Sequence, residues 1–412
     1  MIRSHGLATA APRAHSFQRG GNGIGAKFLL ALLITAIVVF VGKLLYANRL
    51  RYAQMAFSLY YFWWKKFANG LDPWRAIPPC NYPPAFVAAF WPLARLPQPE
   101  AYWIWQAIEI VAFFAAVWLM IRESGRLSLG RLTIALGSVG LLLPYFLGST
   151  IYEAEPSALI MLMLLGAWSF SRRGRPGFGG LMLAAATVLK VYPVVIGGYF
   201  LLRRRYKTVA AGAAWTIFMV IITDPRRWID SLQNGAGAYF KSPGWAADGR
   251  AISIVFNVYA ALRDLAPDGR VPNVPLLVIS ATLGVAALAA AAIVTWQGAD
   301  TPEIQGITLG MWAALMLLLC PLTWNHEITL LMPVYLFLLL YWLRIDVSSS
   351  RPLRPGTLLI VGALAIHVLA YYSTPMRNRH IDFVAVLAAF SGACLIVKPR
   401  SIVVPEPNRS SQ

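Results

Sequence analysis

Apolar runs dominate this chain. A helix needs roughly 17–25 apolar residues to cross a bilayer core. Runs on that scale lie at residues 27–47 and near 101–121, 131–148, 157–171, 176–189, 191–204, 208–223, 274–295, 304–322, 328–344, 356–373 and 381–397. Short polar segments separate them. The pattern predicts an all-α polytopic membrane protein with about 12 transmembrane helices. The segments 176–189 and 191–204 are the shortest of these, and Pro193 leaves open a hairpin of short helices or one long kinked helix. The stretch 84–97 is interrupted by Pro92 and Pro97 and is short for a span of about 20 residues. It predicts a helix lying at, or dipping into, the outer surface.

The polar segments orient this plan. Arg122, Arg126 and Arg131 form one basic link; Arg172, Arg173 and Arg175 a second; Arg203, Arg204, Arg205 and Lys207 a third; Arg344, Arg351 and Arg354 a fourth. Short basic links stay on the cytoplasmic side. The expected plan is a multi-pass protein of the bacterial plasma membrane with both termini cytoplasmic. Residues 1–26 and 399–412 would be disordered tails, and 27–398 one transmembrane domain with long outer loops at 48–100 and 224–273. Polar and aromatic residues then gather on the outer face, which points to a site there.

Composition agrees. Of 412 residues, 58% are hydrophobic and 13% charged, against about 25% charged in soluble chains. A water-soluble enzyme is excluded. The net charge of +19 would suggest nucleic acid in a soluble protein. Here it reads as orientation plus contact with anionic membrane lipids, without a nucleic-acid partner. Cys80, Cys320 and Cys394 show neither metal-ligand spacing nor a disulfide framework. No phosphate-cradling glycine loop, zinc signature or nucleophile elbow occurs, so no cofactor and no metal are expected.

Residues 56–67 are too aromatic for a free loop and too charged for a buried span. They predict an interfacial amphipathic helix, with Lys65 and Lys66 near head groups and the rings in the acyl boundary. Ionisable groups at membrane depth are functional candidates by default. Lys190 interrupts an apolar run just before Tyr192 and Pro193. It suits an anionic phosphate, or else snorkels or makes a structural pair. Glu153 and Glu155 share one outer turn and offer a general base, a cation site or a solvated helix start. Glu109 is expected to pair with an intramembrane cation. Trp324, Asn325, His326 and Glu327 form a polar turn whose histidine could orient an acceptor or serve structure. His367 reads as a helix-packing donor. Arg226, Arg227 and Trp228 open the second outer loop, as phosphate and sugar contacts or as an interfacial anchor. Gly235, Gly237, Pro243, Gly244 and Gly249 follow, in a composition that suits a mobile lid or a plain loop.

Three motifs resemble those of glycosyltransferase family 87, polyprenol-phosphate-mannose-dependent mannosyltransferases of the GT-C class. The first runs from Gly70, Asp72, Pro73 and Trp74 through Tyr82, Pro83 and Pro84 to Trp91, Pro92 and Pro97. The second is Leu189, Lys190, Val191, Tyr192 and Pro193 with Arg203 to Arg205. The third is Leu322 to Glu327. The likeness covers about residues 50 to 345. It implies a GT-C-like fold and inverting transfer of a hexose or pentose from a polyprenyl-phosphate sugar donor to a lipid or glycan acceptor at the periplasmic face. It also implies a phosphate role for Lys190 and a site role for His326, with Tyr82, Tyr192, Trp324, Asn325, Arg226 and Arg227 as substrate contacts. Members usually carry an acid sixteen residues before the aspartate of the first motif; here Ala56 stands there, with Tyr60 four residues later. Glu155 stands where the family commonly has glutamine. The base is then expected at Glu155 or Glu153, with Asp72 next. The alternative is a non-catalytic lipid-linked-sugar binding protein or carrier. A secondary transporter would show broken helices in matching halves, and only the break near Lys190 to Pro193 is visible.

Overall fold

A bilayer core offers no water to exposed peptide groups, so a chain this apolar satisfies them within helices. The computed structural model describes residues 23–49, 56–236, 252–266, 271, 273–320, 323, 325–344, 355–372 and 381–397. All their regular structure is helical. The helices are α1 (Gly23–Asn48), α2 (Ala56–Ala68), α3 (Pro84–Phe90), α4 (Gln98–Glu123), α5 (Leu129–Glu153), α6 (Ser157–Arg172), α7 (Pro176–Leu189), α8 (Ile196–Leu202), α9 (Tyr206–Ile222), α10 (Pro225–Asp230), α11 (Ile254–Leu265), α12 (Asn273–Gln297), α13 (Pro302–Leu319), α14 (Met332–Arg344), α15 (Pro355–Tyr372) and α16 (Ile381–Ile396). Tight 3₁₀ turns occupy Pro73–Arg75, Trp91–Arg95, Tyr192–Val195 and Asn325–Leu331, and a π-turn Ser231–Ala236.

Every apolar segment read from the sequence carries helix among its described residues. Among the described residues, six helices are long and apolar enough to cross a membrane: α1, α4, α5, α12, α13 and the stretch Glu327–Arg344. Helices α9 and α10 supply a seventh if taken as one span bent by 98°, and five others are shorter, at 10–17 residues. Helix α13 is apolar and buried nearly all round, as a central helix must be. Helices α1 and α12 do the opposite: Phe28 is 66% exposed and Val274 72%. Such outward apolar surface suits lipid and not water. The protein is therefore a polytopic membrane protein.

Two close approaches set the helix positions that matter. A Cβ on Gly180 would lie 2.5 Å from the Gly212 amide nitrogen, so α7 and α9 touch backbone to backbone. A Cβ on Gly310 would lie 2.5 Å from the Val334 nitrogen, which lets α14 press onto α13. Helix α6 packs against both α4 and α7.

The bundle has two chemically different ends. At one, Arg172 and Arg173 pair with Glu123, Arg203 with Asp300, and Arg344 with Glu303. The first residues of α6 and α14 and the end of α7 lie at the other, about 24 Å away along the 16 residues of α6.

Several expectations change. Helix α2 buries Phe57, Tyr60, Trp63 and Trp64 inside the protein instead of laying its rings in lipid. Partner rings decide this: Tyr82, Phe86, Phe90, Tyr102 and Trp105 meet the same helix face. Lys65 stays exposed. Residues 84–97 form only α3 and a 3₁₀ turn, too short to cross. Helix α5 continues to Glu153, so the turn expected after it shrinks to 154–156. Glu109 meets no cation; its Oε2 accepts the Ala158 amide at 3.0 Å, where the helix start carries partial positive charge. Helix α1 begins inside the expected tail. The remaining tail residues and the lid glycines from Gly237 onward lie outside the described residues.

Candidate active site

Three chain breaks converge at the end opposite the arginine pairs. The first is the turn between α5 and α6. Helix α5 is capped by Ala154, whose φ of 56° and ψ of 31° are left-handed, a conformation that costs a non-glycine residue about 1 kcal/mol or more and persists only when its surroundings enforce it. Helix α4 does so. Trp105 Nε1 donates to the Ala154 carbonyl at 2.7 Å, Gln106 Nε2 to the Ile151 carbonyl at 3.1 Å, and Glu109 holds the Ala158 amide. The turn then directs Glu155 inward, where it is buried.

The second break follows α7. Lys190 leaves helical geometry at φ −153° and ψ 118°, while its amide still caps the Ala186 carbonyl. A 3₁₀ turn resumes at Tyr192. The break frees the lysine side chain to enter the bundle.

The third is the 3₁₀ turn Asn325–Leu331. Thr329 Oγ1 donates to the Phe146 carbonyl at 2.8 Å and lies 2.7 Å from Thr150 Oγ1, which fixes the turn against α5. Thr323 Oγ1 donates to the Leu317 carbonyl at 2.6 Å. Glu327 is fully buried.

These breaks produce an acid–lysine–acid cluster. Lys190 Nζ donates to Glu155 Oε2 at 3.0 Å and also to Glu327 Oε1. Tyr82 Oη donates to the same Glu155 oxygen at 2.5 Å, and Tyr60 Oη lies 2.8 Å from Tyr82 Oη. Tyr192 Oη donates to Glu327 Oε1 at 3.2 Å. The ammonium sits 5.3 Å from the ring centres of both Tyr82 and Tyr192, within cation–π range. Glu327 Oε2 is buried with no hydrogen-bond partner among the described residues. With both carboxyls ionised, the cluster carries one net negative charge.

Burial opposes charge on Lys190, but Glu155 and then Glu327 outweigh it and hold the ammonium above its ordinary range. Burial, followed by the nearby Glu155, pushes the Tyr82 phenol well above its ordinary range, so Tyr82 remains a donor.

The structure thus joins Glu155, Lys190, Tyr82 and Tyr192. Glu327 and Tyr60 complete the cluster, though sequence reading assigned them no role. Glu327 had one available signal, an acid in a polar turn between apolar runs. Three expected members stand elsewhere. Asp72 accepts the Trp74 amide at 2.9 Å and pairs with Arg75 at 3.4 Å; it caps a turn. Arg226 is exposed, and Arg227 packs over the Phe67 ring at 4.8 Å beside Asp224. Their segment is tied to the first loop: Ser231 Oγ donates to the Tyr82 carbonyl at 3.3 Å and Arg75 pairs with Asp230 at 3.0 Å. Glu153 ends α5 and is not a carboxylate partner of Lys190. Trp324 and the side chains of Asn325 and His326 lie outside the described residues.

The pattern of glycosyltransferase family 87 matches residues 81–321, which contain Tyr82, Glu155 and Lys190. The chain belongs to glycosyltransferase family 87. This family member is also similar to a polyprenol-phosphate-mannose-dependent alpha-(1-2)-phosphatidylinositol pentamannoside mannosyltransferase of Mycolicibacterium smegmatis. The two are 27% identical over 275 residues, 63% of this chain and 61% of that protein. No solved structure matches the chain.

Proposed function

We propose that this chain is a membrane glycosyltransferase that moves a hexose or pentose from a polyprenyl-phosphate-linked donor to a lipid or glycan acceptor at the periplasmic face of a bacterial plasma membrane. The observation that carries the reading is the partly buried Lys190 held between the buried Glu155 and Glu327. Transfer needs a base for the acceptor hydroxyl and positive charge for the departing phosphate. Glu155 and Lys190 supply these 3.0 Å apart. The acceptor proton passes to Glu155 while the acceptor oxygen attacks the anomeric carbon. The bond from that carbon to the phosphate oxygen breaks, and its electron pair leaves with the polyprenyl phosphate. Attack and departure on opposite sides give inversion. His326, one residue before Glu327, contacts donor or acceptor.

Two further features support the reading. The arginine-rich end belongs in the cytoplasm by the positive-inside rule, which puts the cluster at the outer leaflet and both termini inside. An apolar groove of about 320 Å³ starts at Met332 and runs past Tyr335, Leu339 and Trp342, facing Val139 and Ile360. Its start lies five residues after Glu327 in sequence, and its lining suits an isoprenoid chain.

The test is transfer from polyprenyl-phosphate mannose in proteoliposomes. Lys190→Ala should abolish turnover and Glu155→Gln should lower it about 10²–10⁴-fold; wild-type rates in both variants would remove the assigned site. Ala56, at the usual position of the acid, favours a second reading as a lipid-linked-sugar binding protein or carrier. That reading expects donor binding without transfer and a gain of transfer in Ala56→Asp.

A further inference from the structure

Lys190 has two carboxylate partners, only one of which is assigned as the base. Glu327 is fully buried on a turn pinned by Thr329, and it also accepts from Tyr192. Glu155 sits on a three-residue turn and shares one oxygen between Tyr82 and Lys190. A lysine bound to two carboxylates is poorly placed to attract a phosphate, because the cluster's net charge repels it. The proposed reaction changes that balance when the base becomes protonated.

From this geometry we infer, building on the proposed function, that Lys190 exchanges partners during transfer, with Glu327 as its fixed anchor. When the acceptor hydroxyl gives its proton to Glu155, that carboxyl becomes neutral and its hold on the ammonium weakens. In the same step the donor phosphodiester, with one negative charge, becomes a phosphate monoester with two as its electron pair arrives. Lys190 swings from Glu155 to the new phosphate charge while its bond to Glu327 persists. Proton abstraction and leaving-group stabilisation are thereby one coupled event. Glu327 touches no reacting atom and is a positioning residue. Its second oxygen, buried without a partner among the described residues, is the reserve acceptor that keeps the ammonium held while it turns. The ionisable groups facing Glu155 are Tyr60 from α2, Tyr82 from the following loop, Glu109 from α4, Lys190, Tyr192 from the 3₁₀ turn after it, and Glu327.

The exchange is testable without turnover. Glu155→Gln mimics the protonated base. Full-length Glu155→Gln in nanodiscs should bind polyprenyl phosphate about tenfold tighter than wild type, as expected when one competing charge is removed. Glu155→Ala should show the same gain, and adding Lys190→Met should erase it. Unchanged or weaker phosphate binding in both Glu155 variants would overturn the exchange, whereas absent sugar transfer by wild type would overturn the parent reading. The anchor is tested by kinetics. Glu327→Gln should lower kcat roughly tenfold or more without raising KM for the donor. It should also move the acid limb of the pH–rate profile to lower pH, because a negative neighbour of Glu155 is gone. Glu327→Asp should keep the wild-type limb. Parallel loss in kcat and KM with an unmoved limb in Glu327→Gln rejects the anchor role, as does a limb in Glu327→Asp shifted as far as in Glu327→Gln.

Discussion

The two ends of the bundle use the same kinds of charge in opposite ways. At the arginine end each ion pair keeps a partner in or near solvent: Asp300 is 63% exposed beside Arg203, and Arg173 is 38% exposed beside Glu123. Cations outnumber acids there, and water or lipid phosphate can replace any single contact. At the other end two carboxyls enclose one ammonium whose side chain is 14% exposed, and Glu327 has no exposure at all. A buried charge that loses its partner is left uncompensated, at a cost of about 3–5 kcal/mol, while exposed pairs contribute about 0–1 kcal/mol. The difference teaches that enclosure of every member of the pair, and not the presence of charge, sets the proposed site apart from the arginine end.

Mutations at the two ends should divide accordingly. The largest effect is expected at Lys190. Lys190→Ala should reduce sugar transfer below detection in proteoliposomes, while Arg173→Ala should leave turnover within about twofold. Equal losses from both would break the contrast. Next comes Glu155→Gln, with a loss of about 10²–10⁴ in kcat, the usual contribution of a general base. Glu109→Ala should destabilise the fold by about 1–3 kcal/mol, because the buried Ala158 amide loses its acceptor. A lowered midpoint of thermal unfolding in detergent, beside Arg173→Ala as a control whose partner Glu123 keeps Arg172, would measure it. The smallest effect on rate is expected from Tyr82→Phe. Tyr82 donates to ionised Glu155, so its removal raises the Glu155 pKa and moves the acid limb of the rate profile to higher pH. The Tyr82 phenol lies well above its ordinary range and does not itself titrate on that limb. A limb that stays in place would show that Glu155 is not the titrating base.

Sequence reading located the helices well because the apolar signal is local. A run long enough to need internal hydrogen bonding announces itself, as do its basic flanks. The same logic singled out Lys190, since a lysine inside an apolar run demands an explanation, and Glu155 as an acid in a short turn. It failed at α2 because amphipathicity reports one apolar face without saying whether lipid or protein covers it. It failed at Asp72 because a turn cap and a catalytic acid look alike in one dimension.

The sequence alone determined an all-helical membrane chain, its approximate segment boundaries, its family motifs and the isolated lysine. Only the tertiary structure decided that Glu155, Lys190 and Glu327 meet. Those residues lie 35 and 137 positions apart, and nothing local links them. Their encounter depends on a left-handed Ala154 clamped by α4, a helix break before Tyr192 and a threonine-pinned turn, each set by neighbours distant in sequence. Charge pairing in a low-dielectric interior is decided over a few ångströms in space, a distance that residue order does not encode.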